Sequence, residues 1–400
     1  MRQKNKELIG LELEFHLINP DGSLSNNSDY IFNDKRGEGF LIKELGKSMV
    51  EVISSPSNEL NKLHENFINN LFTFKDICDD YNLKAIPSTT IGPKSNPISN
   101  DSERIRGFRK RLILGNEKRD LEHHVCGTHI HYDHIDDNKK TYEQFVVMQA
   151  MDPIFILMSS SPFLFGKNTK KDYRVDVYRN DVFEKFPLQG QLNPYPKSYQ
   201  DLKNRQIESF SQWIDLEKKN GYSDEGFNEY NTCWGPIRLT KKTIENRSSD
   251  ATLFSNVMGL VSLTQGINNY VINEDPNIII DHNNSHSNKY FKEGSKLILP
   301  SYEFLKWAEK TGIEKGLKNE TLNKYVDNII TLAKKYTSNK DYLNIFDKQI
   351  KSIKSFSDDI INYANNNKLE HSGEITAPGA CKIRNYIADS YYKDLECMRI

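Results

Sequence analysis

Glu7-Leu8-Ile9-Gly10-Leu11-Glu12-Leu13-Glu14-Phe15-His16-Leu17-Ile18 alternates apolar and polar side chains. Leu11, Leu13, Phe15 and Leu17 project from one face and Glu12, Glu14 and His16 from the other, the period of a half-buried β-strand. Asn19-Pro20-Asp21-Gly22 ends it as a turn. Residues two apart on a strand share a face, so the carboxylates of Glu12 and Glu14 lie about 7 Å apart. Both stay ionised only if a cation offsets their repulsion, which is the geometry of a metal site. A solvent-facing strand edge carries the same pattern, so the pair alone leaves both readings open.

Outward from this strand, 58–81 and 101–114 read as helices, capped by Ser57 and Asn58 and by Asp101 and Ser102, with an extended piece at 84–88 between them. The stretch 125–132 alternates as a strand, 142–159 reads as a buried helix broken near Pro153, and 161–195 as a long loop. A hairpin is expected from 234–239 and 242–248 around Thr240-Lys241, followed by a helix over 250–274 and a helix-rich, polar remainder. With no repeat and no linker, the chain reads as a single domain over 1–400, its sheet-containing core at 1–275 and a helix-rich part at 276–400. The fold class expected is α+β, an antiparallel sheet covered by helices on one face.

Three further clusters carry chemistry. Glu44 and Glu51 bracket the alternating Met49-Val50-Glu51-Val52-Ile53. Gly46-Lys47-Ser48 mimics the end of a phosphate loop, but Leu41 stands where that loop requires glycine, so it is set aside. His123, His124, His129, His131 and His134 are five of the ten histidines and fall within twelve positions. His129 and His131 share a strand face, as paired imidazoles at a transition metal do, although solvated imidazoles give the same pattern. In Thr243-Ile244-Glu245-Asn246-Arg247, Glu245 and Arg247 share a face, either as a cross-strand ion pair or as working groups. The 161–195 loop bears Lys167, Lys170, Lys171, Arg174 and Arg179, able to clamp phosphate or carboxylate, or simply solvated.

Composition narrows the function class. Lys+Arg 54 against Asp+Glu 55 gives a formal charge of -1, without the basic excess of a phosphate-tracking face, so neither nucleic acid nor an anionic membrane is an expected partner. The most apolar run, 145–158, contains Asp152 and Pro153 and is too short to span a bilayer. Cys78, Cys126, Cys233, Cys381 and Cys397 form an odd set without a C-x-x-C pair, as free thiols of a cytoplasmic protein do. The basic start, 1–6, has no apolar signal core after it and is expected to be retained.

In their order along the chain, these elements resemble the glutamate–cysteine ligase type 2 family, carboxylate–amine ligases of the glutamine synthetase-like superfamily. The resemblance is carried by Gly10-Leu11-Glu12-Leu13-Glu14, the Glu44 to Glu51 step, Gly127-x-His129-x-His131, Ser161-Pro162 with Gly166, Thr169 and Arg179, and Trp234 with Ile237-Arg238 ahead of Thr243 to Arg247. It covers about residues 7 to 275. It implies a curved antiparallel sheet forming a funnel, helices on its outer face, and divalent cations held in its narrow part. It further implies Glu12, Glu14, Glu44, Glu51, His129 and Glu245 as ligands of Mg²⁺, with Mn²⁺ an alternative, and His131 as a neighbour of the site. Arg247 would meet the transferring phosphoryl group of ATP, with Glu245 beside it; Arg179 would bind the acyl phosphate or the acid, and Lys167 the nucleotide. The activity implied is ATP-dependent amide formation through an acyl phosphate, from glutamate and cysteine as in glutathione biosynthesis, in a cytoplasmic enzyme for which a homo-oligomer is compatible. Asn246 departs from the family, where an apolar residue is usual; alternation turns it away from the Glu245 face, towards packing.

Three alternatives stand beside this reading. One is a ligase of the same type with another amine. Another is a zinc hydrolase built on His129, His131 and Cys126, which leaves Glu12, Glu14 and Arg247 without a role. The third is a non-catalytic binding protein that retains the fold.

Overall fold

The computed structural model describes residues 7–100, 109–110, 112–158, 160–223, 226–232, 234–283 and 291–399. Its centre is a seven-stranded antiparallel sheet of strands β1 (Ile9–Ile18), β2 (Leu41–Lys43), β3 (Met49–Ile53), β4 (Lys84–Ile86), β5 (Gly127–Asp133), β6 (Ile237–Leu239) and β7 (Thr243–Asp250). The order is β2-β3-β1-β5-β7-β6, with β4 pairing the far end of β1. The alternation of β1 decides its orientation: Leu11, Leu13, Phe15 and Leu17 are buried in the main core with Phe67, Leu71 and Phe74 of helix α1 (Leu60–Asp80). The opposite face at Gly10, Glu12 and Glu14 is only partly covered.

Helices cover the apolar face. Pro153 splits the helix expected over 142–159 into α2 (Asn138–Ala150) and α3 (Asp152–Leu157), where it sits in the first turn and its missing N–H costs nothing. Helix α4 (Tyr199–Lys219) was not anticipated, and α5 (Phe254–Glu274) begins after β7 has run on to Asp250. The expected caps of α1 are corrected: Glu59 is the N-cap residue without a side-chain bond, and Ser57 Oγ bonds the Glu59 backbone instead. The caps expected at Asp101 and Ser102 lie outside the described residues.

The region 276–400 is not purely helical. Between α5 and the later helices stands a three-stranded sheet of β8 (Asn277–Ile280), β9 (Phe291–Glu293) and β10 (Lys296–Leu299). Helices α6 (Tyr302–Lys315), α7 (Glu320–Ala333) and α8 (Ala377–Cys397) contribute Phe304, Val326 and Tyr391 to the same core as β1. Phe15 meets Tyr391 with ring centroids 5.4 Å apart. Gly266 lets α5 approach α7 so closely that a β-carbon there would overlap the Ala333 carbonyl. Among the described residues no helix is long and apolar enough to cross a membrane.

One buried imidazole gives the fold a pH dependence. His124 is held by Thr90 Oγ1 at 3.1 Å and against the Phe165 ring. Burial, reinforced by the Lys94 charge, lowers its pKa to about 4. The unfolded chain therefore binds a proton that the folded chain refuses between about pH 6.5 and 4. Stability falls as pH falls through that window, by up to about 1.4 kcal/mol per pH unit. Unfolding free energies from urea titration at pH 7 and pH 5 should differ by about 2 kcal/mol from this group, and His124→Gln should remove that part of the slope.

Candidate active site

The exposed face of the sheet gathers its polar residues by register. Glu14 lies opposite Glu51, Glu12 opposite His129, His131 opposite Glu245, and Glu245 opposite Arg238. Cross-strand neighbours have β-carbons about 5 Å apart, so one stripe runs over five strands, from β3 to β6. Glu44 reaches it from the segment after β2, where Asn100 Nδ2 donates to its carbonyl at 2.7 Å. Three donor sets result, each with its ligand atoms within 4.8 Å of one another: Glu12, Glu51 and His129; Glu12, His131 and Glu245; Glu14, Glu44 and Glu51. All six residues expected as ligands thus meet on one surface, and His131 joins them.

The contacts define individual roles. Glu12 lies between the imidazoles, 3.0 Å from His129 Nδ1 and 3.1 Å from His131 Nε2. His131 Nδ1 stands 3.1 Å from Thr243 Oγ1. The Gly127 amide donates to Glu14 Oε2 at 2.6 Å. Glu245 is fully buried; it accepts from Arg238 Nε at 2.7 Å and from Arg247 Nη1.

Electrostatics sorts the acids into opposite states. Burial would raise Glu245, but the guanidinium groups of Arg238 and Arg247 and the neighbouring His131 outweigh it and bring its pKa down to about 2. Burial would likewise raise Glu12, yet its bonds to His129 and His131 hold it well below the ordinary range. Glu51 goes the other way, pushed well up by burial and by the charges of Glu44, Glu12 and Glu14, with Arg247 a partial offset. His129 is lowered by burial and by Arg247, so its imidazole is neutral, and its Nε2 is buried without a hydrogen-bond partner among the described residues. An acid that resists ionisation among other acids, next to an unpartnered imidazole nitrogen, fits a divalent cation, which supplies the absent positive charge. Oxygen donors dominate, which suits Mg²⁺ or Mn²⁺ better than zinc. Cys126, the thiol of the zinc alternative, sits in the hydrophobic core and belongs to none of the three sets.

The basic residues fall differently from expectation. Arg179, expected to bind the acyl phosphate or the acid, is held in a buried ion-pair network. It is 3% exposed, donates to both Asp152 oxygens at 2.8 Å and to Ser248 Oγ at 2.9 Å, and also pairs with Glu309. Lys170 pairs with Asp176 and Lys171 with Asp358. Lys167 is exposed on the 164–167 turn and enters none of the contacts above. Arg174, noted only as one of several loop charges, is the residue that meets the site. The supposed loop coils at Tyr173–Asp176 and on through Val177–Val182, and the two arginines take different partners: Arg174 a backbone carbonyl, Arg179 the acids Asp152 and Glu309.

Arg174 is 4% exposed and donates from Nη1 to the Arg247 carbonyl at 3.0 Å. Its Nε has no partner, and no ion pair holds it among the described residues. Together with Arg247, Arg179, Tyr178 and Trp234 it lines a small cavity. Gly127 is glycine because its β-carbon would occupy the space of the Arg174 guanidinium. A buried guanidinium with no acid partner is a site for an anion.

A family model described as glutamate–cysteine ligase family 2 (GCS2) matches residues 8–212. A protein of Roseiflexus castenholzii, provisionally named glutamate–cysteine ligase 2, is 27% identical over 190 residues, which are 46% of this chain and 47% of that protein. The match thus spans about half of that relative's length. Two solved structures share the fold. One is a bifunctional glutathione synthetase from Pasteurella multocida, with a TM-score of 0.61 at 10% identity over 97% of this chain and 53% of the other. The second is a glutamate–cysteine ligase from Francisella tularensis in complex with AMP, with a TM-score of 0.57 at 16% identity over 99% and 90%.

Proposed function

The chain belongs to glutamate–cysteine ligase family 2, and from that premise we propose that it is an ATP-dependent carboxylate–amine ligase joining the side-chain carboxylate of glutamate to the amine of cysteine. The observation that carries the reading is the convergence of Glu12, Glu14, Glu44, Glu51, His129 and Glu245 on one sheet face beside Arg247. Those six residues would hold divalent metal, whose chemistry there is to neutralise the nucleotide phosphates.

A carboxylate cannot expel an oxide ion, so amide formation first needs a better leaving group. A carboxylate oxygen of the acid attacks the γ-phosphorus of ATP, the bond to the β-phosphate oxygen breaks, and ADP leaves. The amine nitrogen then attacks the acyl carbon of the acyl phosphate, the bond to the phosphate oxygen breaks, and the nitrogen gives up a proton. Arg247, aimed by Glu245, and Arg174, fixed by the Arg247 carbonyl, would offer two guanidinium groups to the phosphoryl and carboxylate charges. In this role Arg174 joins Arg179, which borders the same cavity but is held by Asp152 and Glu309.

Protein incubated with ATP, Mg²⁺ and glutamate should release ADP when cysteine is added, and mass spectrometry should show the dipeptide-like amide. No ADP with any acid and amine tested would refute the ligase reading. Glu245→Gln should lower ADP release by about 10²–10³-fold, because Arg247 loses its anchor. Arg238 and Arg247 reach solvent in part, with side chains 17% and 18% exposed, so the variant should keep its far-ultraviolet circular dichroism. Full turnover in that variant would contradict the role of Glu245.

A further inference from the structure

The outer edge of the smaller sheet is open. β8 stands at the end of the order β8-β10-β9 and runs parallel to β10. Asn277 N donates to Ser295 O and Asp281 N to Leu299 O, both at 2.9 Å, so the odd-numbered residues of β8 turn their backbone groups to β10. Ile278 and Ile280 turn theirs outwards, and among the described residues no strand or bridge meets that edge. Beside it a cavity of about 490 Å³ is lined by Ile278, Ile280, Tyr142 and Lys139. The strand, Asn277-Ile278-Ile279-Ile280, carries no charge. Ile278 and Ile280 pack on the main core, and Ile279, on the opposite face, is 37% exposed. An edge of this kind is a template for pairing, and proteins ordinarily guard it. The edges of the main sheet are guarded: β2 carries the exposed Lys43, and at β6 Gln206 Nε2 occupies the Leu239 carbonyl.

Backbone chemistry selects the register in which a second copy fits. About a twofold axis the same edge returns antiparallel, and only outward, even-numbered residues can bond across it. Centring on Ile278 sets Pro276, which has no N–H, against Ile280. Centring on Ile280 sets Ile278 against His282, whose N–H is already given to Ile280 O at 3.1 Å. Centring on Ile279 pairs Ile278 with Ile280 of the second copy twice, four bonds in all, and leaves neither N–H idle. The side chains agree with that register. Ile298 and Ile279 form an apolar row on the outer face, which the axis continues through the second Ile279. In the next row Glu293, Lys296 and Asn277 lie side by side, and the axis sets Asp281 of the second copy against Asn277, one strand from Lys296. Acid and base thus alternate along the row, and no like charges adjoin. We propose that β8 is a homodimer edge, pairing antiparallel with β8 of a second copy about Ile279.

The test needs neither ATP nor turnover, so it stands apart from the ligase reading. A pairing this short falls at the small end of specific interfaces, below about 1,200 Å², so the dissociation constant should be roughly 10–100 µM. In sedimentation equilibrium of the whole chain between about 1 and 500 µM, the average mass should climb towards twice that of one chain. Ile279→Lys should raise the dissociation constant at least about tenfold at an unchanged melting temperature. Residues on the axis form a non-hydrogen-bonded pair with Cα atoms about 4.5 Å apart, within disulfide range, whereas the two copies of position 277 stand about 14 Å apart. In a Cys397→Ser background, which removes an exposed thiol, Ile279→Cys should cross-link under mild oxidation at least about tenfold faster than Asn277→Cys. That comparison decides the matter even if Ile279→Lys fails to fold. A monomer at every concentration, which leaves the edge to a different partner, a dimer that Ile279→Lys leaves intact, or equal cross-linking at the two positions would overturn the proposal.

Discussion

Glu51→Gln should abolish most ADP release and at the same time make the metal-free protein more stable. Glu51 is buried opposite Glu14, shares donor sets with Glu12 and Glu44, and makes no ion pair among the described residues. Without a cation, its ionised form is a like charge added to three others in a partly desolvated place, and the neutral amide of the same shape removes that repulsion. With Mg²⁺ the sign reverses, because the variant loses an anionic ligand in two of the three sets. Loss of one electrostatic partner of a transition state is worth about 10²–10³-fold in rate, or about 3–4 kcal/mol of barrier. Melting curves with and without Mg²⁺ make the check: the metal should raise the midpoint of the unaltered chain and leave that of the variant nearly where it was. A less stable variant that still responds to Mg²⁺ would contradict the placement of Glu51 in the metal site.

Arg179→Met should unfold the protein far more readily, by about 3–5 kcal/mol, since it strands the buried carboxylate of Asp152 and leaves Glu309 to Lys306 alone. Asp152 and Glu309 have no exposure worth the name and lie on α3 and α6, so the pair with Arg179 ties the sheet-covering helices to the later ones. Arg174→Met is the contrasting case. Its charge has no acid partner to strand, so the melting temperature should hold or rise while ADP release falls by about 10²-fold or more. Two arginines five residues apart should thus give opposite signatures in denaturant titration and in turnover. A stable but inactive Arg179→Met would return that residue to the substrate site.

Much of the active face was legible because a strand repeats every two residues. That period alone set Glu12 with Glu14, His129 with His131, and Glu245 with Arg247, and turned Asn246 to the other side, where it is fully buried. His16 continues the Glu12 and Glu14 series and yet is completely buried, because His123, His124 and Arg384 of α8 crowd that end of the face. Helix α4 was missed because its apolar positions are few and separated, with Leu202, Trp213 and Ile214 its buried hydrophobic residues. Arg174 and Arg179 could not be told apart while 161–195 read as a loop, since a loop has no period and so no facing.

By itself the sequence determined which side chains share a strand face, because alternation is a local property of extended backbone. It also placed the breaks at Pro153 and at the 19–22 turn, where φ is constrained within one or two residues. Only the tertiary structure decided which strands lie side by side, and so that Glu51 meets Glu14 and Glu245 meets His131 across segments far apart in the chain. It also decided which arginine is neutralised by acids 27 and 130 residues away and which is left to an anion. Charge compensation acts through space over a few ångströms, and sequence distance carries no record of it.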